Sequence, residues 1–338
     1  MSASETPSAW PPHLSPLVDL TGKNQAMERR LWRLNEELAA KGSELESRFS
    51  KPEHPPVFIF GPPRSGTTLS SQLLAATGLF GMVSNLAARF WRAPALGLMI
   101  SQALGLGELN GQSDYESRRG LTKGWGEPNE FGYFWSRFFD LGQATHALGD
   151  AERARFDRNG LRRAVASMEA EAGRPMAFKN NTWFSFQADL LAEIFPGAIL
   201  VVCRRDPFYA AQSLYLQRLD LYGDEKRWWS MRPPEYEEIR TLPPIEQVAR
   251  QAVCISRHME ESLTRASGAA IVDASYNRLA ADPQGIIREI AAAARAPLKE
   301  ETLAQLPRQF ESTDRIRLEA RLASQLRTAI AAAQEAEE

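Results

Sequence analysis

Apolar residues recur along this chain in two forms: short unbroken runs, and longer segments in which they return every third or fourth position. The runs at Pro56–Phe60, Pro175–Lys179, Ala198–Arg204 and Ala269–Val272 predict buried strands. The periodic segments predict helices over about 66–77 (Leu69, Leu73 and Leu74 inward), 151–171, 186–194, 208–219 and 244–266. The last carries Val248, Ala252, Ile255, Met259 and Leu263 on one face. Short apolar strands alternating with amphipathic helices imply an α/β fold, with a parallel sheet covered by helices on both faces. Such sheets bind ligands beyond the C-terminal ends of their strands.

The flanks read differently. Residues 1–20 are polar and proline-rich and predict a flexible tail. Over 21–50, Met27, Leu31, Leu34 and Leu38 stand at helical spacing on a charged segment, an amphipathic helix that packs on the domain or on a second copy. Residues 51–312 form the α/β domain. Residues 313–338 predict a terminal helix with Ile316, Leu322, Leu326 and Ile330 on one face. These two outer helices are the candidate contacts of a homo-oligomer. The glycine-rich stretch 79–125 gives no clear assignment. Residues 130–139 hold Phe131, Tyr133, Phe134, Trp135, Phe138 and Phe139 and predict a helix whose rings belong to the core. Residues 221–244, with Tyr222, Trp228, Trp229 and Tyr236, have the composition of a lid over an acceptor pocket.

Composition excludes several classes. The 338 residues fit one large domain or two smaller ones. With 43 % hydrophobic and 24 % charged residues the chain is of ordinary globular type. A formal net charge of −2 speaks against a broad nucleic-acid surface. The longest apolar runs are too short to span a bilayer. The N-terminus lacks a basic segment followed by an apolar one, so it does not read as a secretory signal. Two cysteines, Cys203 and Cys254, are too few for a disulfide framework and predict reduced core residues in a cytoplasmic protein. His13, His54, His146 and His258 show no spacing for a metal or a nucleophilic triad.

The candidate chemistry begins at Phe58-Ile59-Phe60-Gly61-Pro62-Pro63-Arg64-Ser65-Gly66-Thr67-Thr68-Leu69. A strand runs into a Gly/Pro turn that opens a helix, which is the layout of a phosphate-binding loop. Backbone amides at a helix start attract an anion, Gly66 admits close approach, and Arg64 adds a permanent charge. Ser65, Thr67 and Thr68 add hydroxyls. In a nucleoside-triphosphate loop a lysine would stand where Thr67 does. The strand at 198–204 ends in Arg204-Arg205-Asp206-Pro207 rather than in an obvious magnesium ligand. Two separated anion sites without a metal site suggest a donor with two phosphate groups.

The segment Gly61–Leu69 resembles the 5′-phosphosulfate loop of the sulfotransferases that use 3′-phosphoadenosine 5′-phosphosulfate. The segment Val201–Pro207, with Ser213 eight residues after Arg205, resembles that family's 3′-phosphate motif. Tyr276, in Ala274-Ser275-Tyr276-Asn277-Arg278-Leu279 followed by Asp282-Pro283, resembles a later and less specific family segment. The three segments stand in family order over about 58–283. Arg64 replaces the lysine usual in the cytosolic members, so the loop is closer to tyrosylprotein-type and bacterial members. The resemblance implies a P-loop-like α/β fold, metal-free in-line transfer of a sulfonate to a small-molecule hydroxyl acceptor, and a donor site of Pro63, Arg64, Ser65, Gly66, Thr67, Thr68, Arg205, Ser213 and Tyr276.

It also implies catalytic residues. Lys179 lies twenty-six positions before Arg205, about where the family carries a catalytic lysine. Asn181 stands where some members have a basic histidine, and an amide cannot take the proton. Tyrosylprotein-type members use a glutamate between loop and lysine, which leaves Glu127 and Glu130, with one expected to cap the aromatic helix and the other to catalyse. Two other readings stand beside this one: a kinase or NTPase using ATP on a lysine-less loop, and a non-catalytic nucleotide-binding scaffold.

Overall fold

The computed structural model describes residues 24–106, 113–118, 120–139 and 144–336. The predicted tail at 1–20 lies outside these residues. The first element, α1 (Gln25–Glu46), is followed by β1 (Val57–Phe60), α2 (Thr67–Ala76), β2 (Gly81–Met82) and α3 (Pro94–Ala103). A two-stranded antiparallel ribbon, β3 (Ser117–Arg118) and β4 (Leu121–Thr122), leads to the short α4 (Gly132–Trp135). Helices α5 (Asp150–Arg155) and α6 (Arg158–Ala172) precede β5 (Met176–Lys179), α7 (Asn181–Phe184) and α8 (Ala188–Ile194). Then come β6 (Ile199–Val202), α9 (Pro207–Tyr222), α10 (Tyr236–Ile239), α11 (Pro244–Thr264) and β7 (Ala270–Asp273). Helices α12 (Tyr276–Ala281), α13 (Pro283–Ala293), α14 (Glu300–Ala304) and α15 (Ala320–Glu335) complete the chain.

The sheet has the order β2-β5-β1-β6-β7 and is parallel throughout. All four residues of β1 are buried, and they alternate between two cores. Phe58 and Phe60 face an aromatic layer that includes Trp135, Phe178 and Phe184. Val57 and Ile59 face the layer of Leu73, Leu74, Ile286 and Ile287. Two-sided burial explains why β1, β5 and β6 read as unbroken apolar runs; β7, predicted buried from the same kind of run, is an edge strand that leaves Ile271 exposed. Chain order departs in both directions from β1, so its C-terminal end is the switch point where a crevice opens.

Several predicted elements change on folding. The helix predicted at 151–171 is broken, because Asp157 turns its side chain onto the Gly160 amide and starts α6 afresh. The aromatic helix predicted at 130–139 is reduced to one turn. Phe131 takes a left-handed conformation (φ 56°) immediately before it, while most of its rings are buried as core. The last helix starts at Ala320 rather than 313; Ile316 is exposed and Leu318 is buried instead. The face of α1 that packs on the domain is mixed: Leu31 and Trp32 lie against the aromatic core, but its most buried residues are not the large apolar ones. Glu28, Asn35, Gly42 and Glu46 are buried there, while Met27 and Leu34 are exposed. Asn35 donates to the carbonyl of Arg89 (2.8 Å) and accepts from the amide of Arg92 (2.9 Å). Glu46 takes a two-pronged pair from Arg137 (2.8 Å).

The predicted lid, 221–244, is stitched down. Gln251 donates to the carbonyls of Trp229 (2.9 Å) and Met231 (2.8 Å), and Glu235 pairs with His258 (2.7 Å) and Arg257 (2.6 Å). His258, which the sequence leaves without a partner, thus belongs to an ion network.

Candidate active site

The loop after β1 turns on two left-handed residues, Arg64 (φ 70°) and Gly66 (φ 99°). Gly66 caps α2, and a Cβ there would come within 2.9 Å of Leu279 and 3.2 Å of Tyr276. The residue must therefore be glycine both for its backbone and for its neighbours. Amides at the start of α2 have no partner within the helix and carry partial positive charge. The Ser65 amide donates to Pro62 (3.2 Å), and its hydroxyl is buried without a hydrogen-bond partner beneath the loop, beside Gly61. Ser65 is not among the residues that line the cavity above the loop. The Thr68 hydroxyl donates to the carbonyl of Gly120 (3.3 Å).

The sheet order brings the other strand ends to this loop. β5 pairs with β1 so that Lys179 stands opposite Ile59, and β6 on the other side delivers Arg204 and Arg205. Arg205 donates to the carbonyl of Arg64 (2.7 Å) and lies over the ring of Tyr276, 4.1 Å from its centroid. Ser213, on α9, accepts from Nε of Arg64 (3.1 Å). Arg64, Arg205 and Arg317 crowd one another. Burial first, and then repulsion by these two neighbours, holds the Arg64 guanidinium below its ordinary range. Such a cluster is a place for an anion.

A cavity of about 560 Å³ opens over the loop, lined among others by Pro63, Arg64, Thr67, Thr68, Glu130, Lys179, Arg205 and Tyr276. Trp229 and Ser230, from the stitched segment, complete one wall. Lys179 is buried and forms an ion pair with the half-exposed Glu130, whose backbone carbonyl accepts from Asn180 (3.0 Å). Asn181 also lines this space, and its Oδ1 is buried without a hydrogen-bond partner.

The two candidate glutamates separate. Residues 127–129 run beside 83–85: the Asn85 amide donates to Glu127 (2.8 Å) and the Asn129 amide to Val83 (2.9 Å). In extended chain, residues three apart point to opposite sides. Glu127 turns inward, where it accepts from Gln72 (3.0 Å) and Ser113 (3.4 Å). Burial raises its pKa, although those two hydrogen bonds oppose the rise. Glu130 faces the cavity. Neither carboxylate caps α4, whose start has no side-chain cap.

Two residues at this site carry no sequence signal. Asp314 binds Arg205 through one carboxylate oxygen, 2.8 Å from Nε. Thr313 accepts from Arg205 (3.1 Å), and its hydroxyl lies 2.7 Å from that of Tyr276. Both sit in the irregular segment before α15, which Gln212 holds through the carbonyl of Arg315 and the amide of Arg317. Among the described residues there is no cluster of three or more metal-ligating side chains, and no helix is long and apolar enough to cross a membrane.

A parallel sheet with a phosphate-type loop at its switch point and basic residues on both neighbouring strand ends defines an α/β enzyme of the P-loop-like class. The chain belongs to the sulfotransferase family, whose model matches residues 55–300. Its fold is similar to that of sulfotransferase STF9 from Mycobacterium avium, with 17 % identity over 87 % of this chain and 80 % of that one (TM-score 0.53). It is likewise similar to sulfotransferase STF1 from Mycobacterium tuberculosis H37Rv, with 16 % identity over 90 % of this chain and 85 % of that one (TM-score 0.52). No curated protein sequence matches the chain significantly.

Proposed function

We propose that the protein transfers a sulfonate group from 3′-phosphoadenosine 5′-phosphosulfate to a hydroxyl group, with Glu130 as the base. The contact between Lys179 and Glu130, on the cavity above the loop, carries this reading. The donor supplies an activated sulfonate whose leaving group is 3′,5′-diphosphoadenosine. The α2 amides, Arg64, Thr67 and Thr68 hold the phosphosulfate end in a cationic pocket. Arg205 and Ser213, braced by Tyr276, serve the second phosphate. Lys179 balances charge on the leaving phosphate oxygen as the sulfur–oxygen bond breaks. Glu130 takes the hydroxyl proton as the acceptor oxygen bonds to sulfur.

Glu127 has the raised pKa that a base profits from, yet it is turned away from this space; reach decides before basicity. The buried Cys203 and Cys254, not joined in a disulfide, suit a reducing, cytoplasmic setting. Titration with 3′,5′-diphosphoadenosine, and initial rates with the donor and a panel of alcohols, phenols and saccharides, test the proposal. Micromolar nucleotide binding and donor-dependent sulfation are expected; no nucleotide binding overturns it.

A further inference from the structure

A second cavity, of about 470 Å³, lies on the other side of Glu130. It shares only Gly120 and Glu130 with the cavity over the loop. Gly120 has φ 82°, and a Cβ there would stand 3.7 Å from the Thr68 hydroxyl and 4.0 Å from Glu130 Oε1. The boundary between the cavities is thus a bare backbone beside the one carboxylate that faces both.

The walls of the second cavity divide by chemistry. Leu121, on β4, and Trp125, just after it, are both more than half exposed and form an apolar rim. The amides of the opposite wall are satisfied within the protein. Asn85 donates to Thr122 Oγ1 (3.1 Å) and Gly124 (2.8 Å) and accepts from Asn129 (2.7 Å), which itself accepts from the Phe131 amide (2.7 Å). Arg89 differs. Its carbonyl is held by Asn35, and its guanidinium forms a long ion pair with the buried Glu28 (3.6 Å) while remaining about one-third exposed. That pair engages one nitrogen, at more than hydrogen-bond distance; the remaining N–H groups of a guanidinium on a partly apolar cavity can still take a second carboxylate.

Resting on the sulfotransferase reading, we infer that this cavity is the acceptor site and takes a hydroxylated carboxylic acid with an apolar or aromatic body. The hydroxyl reaches Glu130 past Gly120, the body lies against Leu121 and Trp125, and the carboxylate meets Arg89.

Calorimetry on the full chain loaded with 3′,5′-diphosphoadenosine tests this without turnover. The probes are 3-(4-hydroxyphenyl)propanoate and 4-ethylphenol, which differ by the carboxylate. The acid is expected to bind at least tenfold more tightly. Arg89→Met should abolish that preference and Arg89→Lys should retain part of it, with thermal melts confirming that both variants fold. Trp125→Ala should weaken both probes. Equal affinities in the wild type, or a preference that survives Arg89→Met, overturn the acceptor assignment. Failure of the wild type to bind the nucleotide in the loading step sinks the sulfotransferase reading itself, and the acceptor site with it.

Discussion

Asp314 presents one carboxylate oxygen to both Nε and Nη2 of Arg205, at 2.8 and 2.5 Å, while Thr313 and the carbonyl of Arg64 take further donors of the same guanidinium. Both side chains are largely buried. As it stands, Arg205 has no two-pronged face left for a phosphate. A nucleotide phosphate that paired with Arg205 through Nε and Nη2 would have to displace Asp314.

Asp314→Ala should therefore tighten 3′,5′-diphosphoadenosine binding by about three- to tenfold, roughly 1 kcal/mol for the one charge pair that the nucleotide no longer has to displace. Arg205→Ala should weaken it by tenfold or more, the scale of a lost charge-assisted hydrogen bond. Calorimetry on both variants decides. Weaker binding by Asp314→Ala would mean that the carboxylate orients Arg205 rather than competing for it.

Glu130→Gln should lower kcat by about 10²- to 10⁴-fold, the usual range for losing a general base, with nucleotide affinity unchanged. Glu127→Gln should cost much less, because Glu127 bonds Gln72 and Ser113 rather than facing the cavity. Steady-state kinetics on the two variants in parallel check the assignment; equal losses would remove the distinction.

Lys179→Ala should reduce turnover more than it raises the donor KM, since a cation acting on the leaving oxygen counts most in the transition state. A change confined to KM would make Lys179 a binding residue only.

Gly42→Ala should destabilise the protein by about 1–3 kcal/mol, the usual cost of overpacking. The added Cβ would lie 1.8 Å from the carbonyl of Arg92, so α1 must move off the domain. Urea unfolding should show a lower midpoint.

His146 is buried, and burial lowers its pKa to about 3, with Arg232 adding to the shift. The ordinary value of 6.5 describes the unfolded chain. Between these values the unfolded state binds a proton that the folded state refuses, so stability should fall as pH drops from about 6.5 toward 3, by up to about 1.4 kcal/mol per unit. His146→Gln, which can still accept the Arg232 amide hydrogen bond, should flatten this limb in pH-dependent thermal melts.

What the sequence determined by itself is local. An apolar run entering a Gly/Pro turn and a hydroxyl-rich helix start sets the loop at 61–68. The runs ending at Lys179 and Arg204 place two cations at strand ends, because strand and turn preferences act over a few residues. The helices α12 and α14 escaped that reading because six and five residues are too few to show a helical period. So did the break before α6, a single side-chain cap.

Tertiary structure decided the rest. Sheet order set Lys179 and Arg205 on opposite sides of the same loop. Pairing of 127–129 with 83–85 sent Glu127 inward and left Glu130 on the cavity. The buried polar groups of α1 met Arg89, Arg92, Tyr133 and Arg137 through the fold. Asp314 reached Arg205 across more than a hundred residues. Such contacts leave no mark on nearby sequence, since a carboxylate that meets a guanidinium at long range reads, in the chain, like any solvated charge.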